Sequence, residues 1–410
     1  MSARPLEGYR VLDFSWVWSG PMVAAILTEF GAEVIKVEHG KRLDNSRLRG
    51  RPIVDGKPLE GPSIELNPYF HQTNHGKLSI TLNLKEPRAI ALLHGLAAKS
   101  QIVIENLSVG ALTRAGLGYE ALAAVNPRII YLAMSAAGQT GPLKDMRAYA
   151  PIMSSYSGLE ALVGYPGEIP TGMLNFGYGD PNAGAHALVA LLAAVWHERK
   201  TGEGQFIDMA QIEAMLSVLP EPLIDRLWNG RDAVPRGNAH ARHAPHGNYP
   251  VAGDDRWVAI AVTSDAAWRA LRAVMGDPAW AADPVLDAAD GRCARREEID
   301  RSLAAWTAGQ ERAALVERLA GAGIAAAPVL GIEEQWAHPQ FESRGLRQDV
   351  VHPHFGPERI YATPWRMSAT PPRIDRSAPI LGSGNDYVLG DVLGLSVADR
   401  KALAEAGVIS

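Results

Sequence analysis

An aspartate in a glycine-rich segment is the residue of this sequence best suited to covalent chemistry. Asp180 stands in residues 175–184 (Asn-Phe-Gly-Tyr-Gly-Asp-Pro-Asn-Ala-Gly), directly before a proline and a long apolar run. An Asp-Pro pair at the start of a helix is a common N-cap, so a structural role alone explains it. The helix dipole also keeps such a carboxylate ionised, and an accessible carboxylate can act as an acyl nucleophile. We expect three glycines to leave room there for a bulky substrate: Gly177, Gly179 and Gly184.

Basic residues follow several predicted strands and could bind an anionic ligand. A single Lys or Arg carries little weight, because such residues are more often solvated than functional. Their clustering after the strands favours a phosphorylated cofactor. The candidates are Lys36, His39, Arg47, Lys77 and Arg114.

Other conspicuous residues have weaker functional interpretations. Residues 236–249 hold three His without an acidic partner, which favours a loop covering an anionic ligand over a metal site. Trp16 and Trp18 would point the same way on a continued strand, where core packing is the default and a wall of an acyl pocket is the alternative. Cys293 is the only cysteine, which excludes an internal disulfide and a Cys-based zinc site.

The composition excludes several classes of protein. The chain has 410 residues, 47% of them apolar, which excludes general disorder and favours two or three domains or one large domain carrying an insertion. The 40 Lys+Arg and 45 Asp+Glu give a net charge of -5 with no basic block, which argues against nucleic acid as the main partner. The N-terminus resembles no signal peptide and no apolar run has membrane-spanning length, so we expect a cytoplasmic protein without a membrane partner.

Short apolar runs that alternate with helical periodicity predict an α/β fold. A strand over 9–14, a helix over 22–30 and a strand over 33–38 form an N-terminal strand-helix-strand motif. This alternation indicates an open, largely parallel sheet covered by helices, whose ligands bind at the carboxyl ends of the strands. Further strands are predicted over 78–84, 102–106 and 128–133, and further helices over 87–98, 117–124 and 180–199.

Changes in composition divide the chain into three parts. Residues 1–224 are predicted to form a large domain and residues 225–335 a smaller α/β domain, which begins in a segment rich in Gly, His and Arg. Residues 336–410, rich in Pro before a last helix over 397–406, are predicted to return to the large domain.

Ordered motifs along essentially the whole chain resemble those of the class III CoA-transferases, the family of formyl-CoA transferase and carnitine CoA-transferase. The matches follow one another in the family's order, which makes the resemblance specific. They are Val-Leu-Asp-Phe at 11–14, Gly-Pro at 20–21, Gly-Ala-Glu-Val-Ile-Lys-Val-Glu at 31–38, Glu-Asn-Leu at 105–107, Gly-Ala-Leu at 110–112, Gly-Gln-Thr-Gly-Pro at 138–142, Thr-Gly-Glu-Gly-Gln at 201–205, Arg-Gly-Asn at 236–238, Ala-Pro-Val at 327–329 and Pro-Ile-Leu-Gly at 379–382.

The resemblance implies a covalent mechanism in which Asp180 carries CoA as an aspartyl-CoA thioester. It also implies a Rossmann-like large domain in an interlocked dimer, either a homodimer or a heteromer with a related subunit. The implied ligands are an acyl-CoA and a small carboxylic acid, with CoA as substrate and no metal. The residues it implies in CoA binding are Trp18, Ser19, His39, Asn74, Lys77, Asn106, Leu107, Ser108 and Arg114.

Two departures from the oxalate-using members of the family and one similarity to another branch narrow the range of expected substrates. Trp18 stands where the oxalate-using members have a Gln, so oxalate is disfavoured, and His39 replaces an Arg, which weakens the local anion contact. Residues 14–22 and 244–247 look like the branch that handles benzylsuccinate and related substituted dicarboxylates. We therefore predict succinyl-CoA as donor and an aryl or branched carboxylate as acceptor.

Two alternatives remain open. An α-methylacyl-CoA racemase resembles the chain but uses a His and Asp pair, and its His position falls at Tyr149, whose phenol is a poor base at neutral pH. A non-catalytic CoA-binding subunit of a heteromeric transferase is the other, against which the presence of Asp180 argues.

Overall fold

The computed structural model describes residues 4–172 and 177–410. The chain divides into two compact units. The first lies within residues 1–160, 173–232 and 342–410, and the second within residues 161–172 and 233–341. The sequence-based division at 224/225 and 335/336 stays a prediction.

The strands, numbered β1 to β13 in chain order, alternate with helices through most of the chain. They are Arg10–Asp13, Glu33–Glu38, Ile53–Val54, Lys57–Pro58, Leu78–Thr81, Ile102–Glu105, Ile130–Ser135, Gln205–Ala210, His246–Pro250, Trp257–Ala261, Ala325–Val329, Arg347–His352 and Gly356–Tyr361.

The α-helices are numbered α1 to α16 in the same way. They are Ser19–Glu29, Pro68–Asn74, Pro87–Ala97, Ala111–Arg114, Tyr119–Val125, Ala150–Tyr156, Gly179–Thr201, Gln211–Leu216, Pro220–Asn229, Asp265–Met275, Ala289–Ala294, Arg296–Thr307, Arg312–Gly321, Ile332–Trp336, Pro339–Ser343 and Val397–Glu405. Shorter 3-10 turns are Asn45–Leu48, Ser63–Glu65, Glu160–Leu162, Ala279–Ala281 and Pro284–Asp287, and Asp386–Val392 forms a π-helical turn.

A six-stranded sheet with order β5-β2-β1-β6-β7-β8 organises the first unit, and every neighbouring pair is parallel. The chain passes outward from β1 in both directions, so the sheet has its switch point between β1 and β6. Ligands of open parallel sheets bind at such a point, outside the carboxyl ends of the strands. The predicted α/β fold with a parallel sheet is confirmed.

Alternate residues of the central strands supply two separate cores. Val11, Val34 and Ile104 face one side, where α1 and α7 cover them. Leu12 and Ile35 face the other side, against α3, α5 and the C-terminal segment. Since successive strand residues point to opposite faces, the centres of strands buried on both sides are largely apolar, and a charged side chain in such a strand, Lys36 in β2, is buried and paired with Asp44.

The second unit contains the antiparallel three-stranded sheet β11-β10-β9. Its core includes Trp268, Leu271, Leu303 and Leu315 from the helices α10, α12 and α13. Across the described ranges, no helix combines the length and the apolar content that a bilayer crossing demands.

Candidate active site

A large cavity opens at the carboxyl edge of the six-stranded sheet, entirely within the first unit. Its volume of about 1500 Å³ exceeds the range of roughly 300–1,000 Å³ for drug-sized ligands, so it can admit a long ligand. The wall consists mainly of segments that follow β1, β2, β5, β6 and β7. The lining residues fall within 14–19, 37–48, 82–85, 106–115 and 135–153, together with Asp180, Gln211 and residues within 404–410.

Asp180 lies in this wall, in the first turn of the long helix α7. Ser19 donates two hydrogen bonds to its carboxylate, one from the backbone N–H and one from the hydroxyl. Burial raises the pKa of Asp180 to about 6, although the bonds from Ser19 and the positive charge of Arg49 oppose the shift. The group is therefore mostly ionised at neutral pH and carries less solvation than an exposed carboxylate, which suits a nucleophile.

The loop between β1 and α1, which leads into Ser19, is held by Asn106, the residue directly after β6. Asn106 Oδ1 accepts from the Trp16 backbone N–H at 2.8 Å, and Asn106 Nδ2 donates to the Trp16 carbonyl at 2.8 Å and to Ser19 Oγ at 3.1 Å. One amide side chain thus fixes both the loop and the hydroxyl that contacts Asp180. The Glu-Asn-Leu motif gave a sequence signal for this residue but not for its partners.

The same loop contains a backbone conformation that is unusual for its residue. Val17 has φ +68°, in the left-handed region that β-branched residues avoid. The buried Asp44 accepts from the Val17 backbone N–H at 3.1 Å and forms an ion pair with Lys36 at 3.0 Å. Strand β1 ends at Asp13, so the strand does not continue through Trp16 and Trp18, and the condition under which both indoles would point the same way is not met.

Three of the basic residues that the sequence assigned to anion binding lie inside the protein. Lys77 Nζ is 2.7 Å from Asp13 Oδ2, and burial lowers the pKa of Lys77 to about 8. Lys36 pairs with Asp44, and Arg47 pairs with two glutamates, at 2.8 Å and 2.7 Å. Each charge is already neutralised, so these cations stabilise the strand ends in this structure and do not face the cavity.

Other cations line the cavity in their place, and the sequence analysis did not single them out. Lys41 and Arg42 follow β2 within a strand-end segment, so their position was a usable signal, whereas Arg147 had none. The Arg42 guanidinium lies 5.3 Å from the centre of the Trp16 ring. The cavity-lining cations are Lys41, Arg42, Lys85 and Arg147.

The residues implied in CoA binding fall into two sets. Five line the cavity: Ser19, His39, Asn106, Leu107 and Ser108.

The other four lie elsewhere. Trp18 packs edge-on against Tyr69, with ring centres 5.7 Å apart. Asn74 is buried, and its Oδ1 accepts from Lys77 at 2.9 Å. Arg114 is exposed at the end of α4, whose Ala111 and Leu112 line the cavity.

The glycines around Asp180 serve packing. A Cβ on Gly184 would lie 2.5 Å from Met22 Cε and 3.3 Å from the Ser19 carbonyl oxygen, so this glycine lets α7 approach α1. A Cβ on Gly179 would lie 3.0 Å from Met215 Sδ. The prediction that these two glycines clear space for a substrate is therefore wrong. Asn175 and Phe176, which begin the motif, lie outside the described residues.

The structure also places Tyr149 and two of the histidines of residues 236–249, which the sequence analysis named as candidates. Tyr149 lines the cavity, and its hydroxyl accepts from Asn45 Nδ2 at 3.1 Å. In the second unit the rings of His240 and His243 stack with centres 4.4 Å apart. In the part of the chain that the structure describes, no three His, Cys, Asp or Glu side chains converge as a metal site would require.

A buried, ionisable carboxylate in the wall of a long cavity with several basic residues is suited to acyl transfer from a phosphorylated thioester. The model of the CoA-transferase family III matches residues 6–385, and the chain therefore belongs to that family. It is an enzyme, a CoA-transferase, whose substrates are CoA thioesters and carboxylic acids.

Relatives of known name are similar over nearly their full length. A succinate–glutarate CoA-transferase of Agrobacterium fabrum is 34% identical over 388 residues, covering 95% of this chain and 96% of that protein. A succinyl-CoA–D-citramalate CoA-transferase of Chloroflexus aurantiacus is 32% identical, covering 99% of this chain and 98% of that one. The crystal structure of a CAIB/BAIF family protein from Brucella suis superposes with a TM-score of 0.85 at 30% identity, covering 95% of this chain and all of that one.

Proposed function

We propose that this enzyme transfers CoA from succinyl-CoA to a carboxylic acid with an aryl or branched carbon skeleton, and that Asp180 carries CoA between them. The observation that supports this most directly is the placement of Asp180: it lies in the wall of the long cavity, accepts two hydrogen bonds from Ser19 and has a pKa of about 6. The names of two relatives support the donor, since both include succinate or succinyl-CoA.

The first half-reaction charges the aspartate. The Asp180 carboxylate attacks the thioester carbonyl of the donor, the C–S bond breaks, and a mixed anhydride and the CoA thiolate form. The thiolate then attacks the Asp180 carbonyl of the anhydride, which releases the donor acid and leaves an aspartyl-CoA thioester.

The second half-reaction reverses these steps with the acceptor. The acceptor carboxylate attacks the aspartyl thioester and expels the thiolate, and the thiolate attacks the acceptor's acyl carbon to regenerate the Asp180 carboxylate. Each step passes through an oxyanion, which backbone N–H groups of glycine-rich segments can stabilise. No net proton is consumed.

CoA would lie along the cavity with its phosphates near the basic residues of the wall. Ser19, His39, Asn106, Leu107 and Ser108 are the proposed contacts that already line it. Trp18, Asn74, Lys77 and Arg114 remain proposals that would require a change of position or a contact at the cavity rim.

The apolar part of the wall supports an acceptor larger than oxalate. Trp16, Ile152 and Met153 line the same cavity as Asp180, and such side chains favour aryl or branched carbon skeletons over small, fully polar acids. Competition assays in which oxalate or formate outcompeted every bulkier acid would contradict this acceptor class.

Three further proposals complete the description. We propose an interlocked dimer, either of identical chains or with a related subunit, a chain divided near residues 224 and 335, and a cytoplasmic location.

The decisive experiment is intact-mass analysis after incubation with succinyl-CoA and trapping by hydroxylamine or borohydride. The wild type should acquire a modification that peptide mapping places on Asp180, and Asp180→Ala should acquire none. Absence of an adduct with several acyl-CoA donors, together with exchange of an α-proton into solvent, would instead favour the racemase.

A further inference from the structure

Arg49 holds a positive charge beside the catalytic carboxylate. Its guanidinium carbon lies 4.1 Å from the centre of the Tyr69 ring. Tyr69 contacts Trp18 edge-on, and the next residue, Ser19, donates both hydrogen bonds to Asp180. The cation thus belongs to a continuous set of contacts that ends at the nucleophile.

The charge of Arg49 is available to a ligand, unlike that of its neighbour Arg47. Arg47 is buried and paired with Glu38 and Glu65, whereas Arg49 is exposed. Among the described residues, no carboxylate forms an ion pair with the Arg49 guanidinium. Stacking on an aromatic ring restricts the guanidinium plane and leaves its N–H edge open to an anion.

A second polar group beside Arg49 also lacks a partner. The Tyr69 hydroxyl is buried and makes no hydrogen bond to any residue in the described ranges. Burial raises the pKa of Tyr69, as do the negative charges of Asp180 and Asp44, while Arg49 opposes the shift. Buried polar groups in native proteins are normally satisfied, so this hydroxyl indicates a position that a ligand oxygen can occupy.

The electrostatics link these groups to the nucleophile. The positive charge of Arg49 also lowers the pKa of Asp180 against the effect of burial, so the two charges are close enough to interact. A substrate bound at Asp180 therefore lies within the field of Arg49.

We propose that Arg49 binds the second carboxylate of dicarboxylic substrates, the one that does not react. This inference rests on the proposed function and names its substrate class. Transfer converts one carboxylate of succinate or of a substituted succinate into a thioester, so the remaining carboxylate stays anionic throughout and needs a partner. The planar guanidinium matches a carboxylate with two parallel hydrogen bonds, and Tyr69 supplies the platform that orients it.

The test compares acids that differ by one carboxylate, with succinyl-CoA as the donor throughout. Glutarate is compared with valerate, and phenylsuccinate with 3-phenylpropionate. Because donor and acceptor react in separate half-reactions, kcat/KM for the acceptor is independent of how well the donor binds. The variants are Arg49→Gln and Arg49→Lys, with Arg147→Gln as a control in the cavity wall and Arg88→Gln as a control on the exposed face of α3.

Arg49→Gln should lower the preference for each diacid over its monoacid by about 10- to 100-fold, the effect of losing one charge-assisted interaction. The monoacid kcat/KM should change by less than about threefold, Arg49→Lys should keep part of the preference, and both controls should keep all of it. Thermal unfolding should show the same midpoint for every variant.

An unchanged preference in Arg49→Gln, an equal loss for both acids of a pair, or a loss confined to Arg147→Gln would each overturn the inference. Failure of the proposed function has a different result: wild type that forms no adduct at Asp180 and transfers CoA to no acid. An active wild type with an unmoved preference therefore refutes the role of Arg49 alone.

Discussion

In the proposed mechanism, the protonation state of Asp180 controls whether the enzyme can react. Only the carboxylate can attack a thioester, and burial raises its pKa to about 6 while two hydrogen bonds from Ser19 hold it down. The Ser19 hydroxyl is in turn fixed by Asn106, so three side chains from separate parts of the sequence determine one ionisation.

We expect kcat/KM for succinyl-CoA to fall below about pH 6 in the wild type, because the protonated acid is not nucleophilic. Ser19→Ala removes a bond that stabilises the charged form, so the pKa of Asp180 should rise and the acid limb should move upward by about 1 pH unit. Steady-state pH profiles measure both.

Ser108→Ala provides the matched control for this prediction. Ser108 lines the same cavity, but the bonds to Asp180 come from Ser19. Its substitution can weaken CoA binding, yet the acid limb should stay in place. A limb that does not move in Ser19→Ala, or that moves equally in both variants, would contradict the assignment.

The junction of α7 and β8 depends on two glycines with different requirements. Gly202 ends α7 in the left-handed conformation, at φ +77°, where an added Cβ would meet only the Arg128 side chain, at 3.9 Å. Gly204 starts the approach to β7, where an added Cβ would lie 2.1 Å from the Ile129 carbonyl oxygen. One position requires a backbone conformation, and the other requires the absence of a side chain.

We predict that Gly204→Ala destabilises the protein by about 3 kcal/mol or more, since the contact is with backbone that cannot move aside. Gly202→Ala should cost only about 1 kcal/mol, the strain of a left-handed alanine. Thermal unfolding should therefore rank wild type first, Gly202→Ala second and Gly204→Ala last. Equal midpoints for the two variants would contradict the backbone contact at Ile129.

Two helices of the first unit expose large apolar side chains to solvent. Val189 and Trp196 lie on one face of α7, and their exposed fractions are 71% and 65%. Leu227 and Trp228 on α9 are 69% and 81% exposed, and α9 has no buried residue. Large apolar side chains exposed to this extent are typical of an interface between proteins.

The proposed dimer makes these helices part of the subunit contact. Light scattering after gel filtration should give twice the chain mass for the wild type. The double variant Leu227→Glu, Trp228→Glu should weaken assembly by roughly 30-fold or more, because buried aromatic anchors dominate interface energies.

Val397→Glu is the control for assembly, since Val397 is 74% exposed on the separate helix α16. It should assemble as the wild type does. A single-chain mass for the wild type at micromolar concentration, or no effect of the double variant, would contradict the placement of the interface on α9.

Much of the fold followed from local pattern. Strand β2 was predicted with its observed bounds, and α7 and α16 within two residues at each end, because their apolar periodicity and their end signals are contained in a few neighbouring residues. Strand β8 was not predicted, because Asp208 interrupts its apolar residues, Phe206, Ile207 and Met209.

Residue type, order and short-range spacing were enough to predict the class of fold, the family and the position of the proposed nucleophile. Only the tertiary structure decided which cations remain available. Lys36, Lys77 and Arg47 are paired with carboxylates inside the protein, whereas Arg49 is exposed beside the Tyr69 ring. Whether a charge binds a ligand or an internal partner depends on burial and on residues distant in the chain, which no local pattern records.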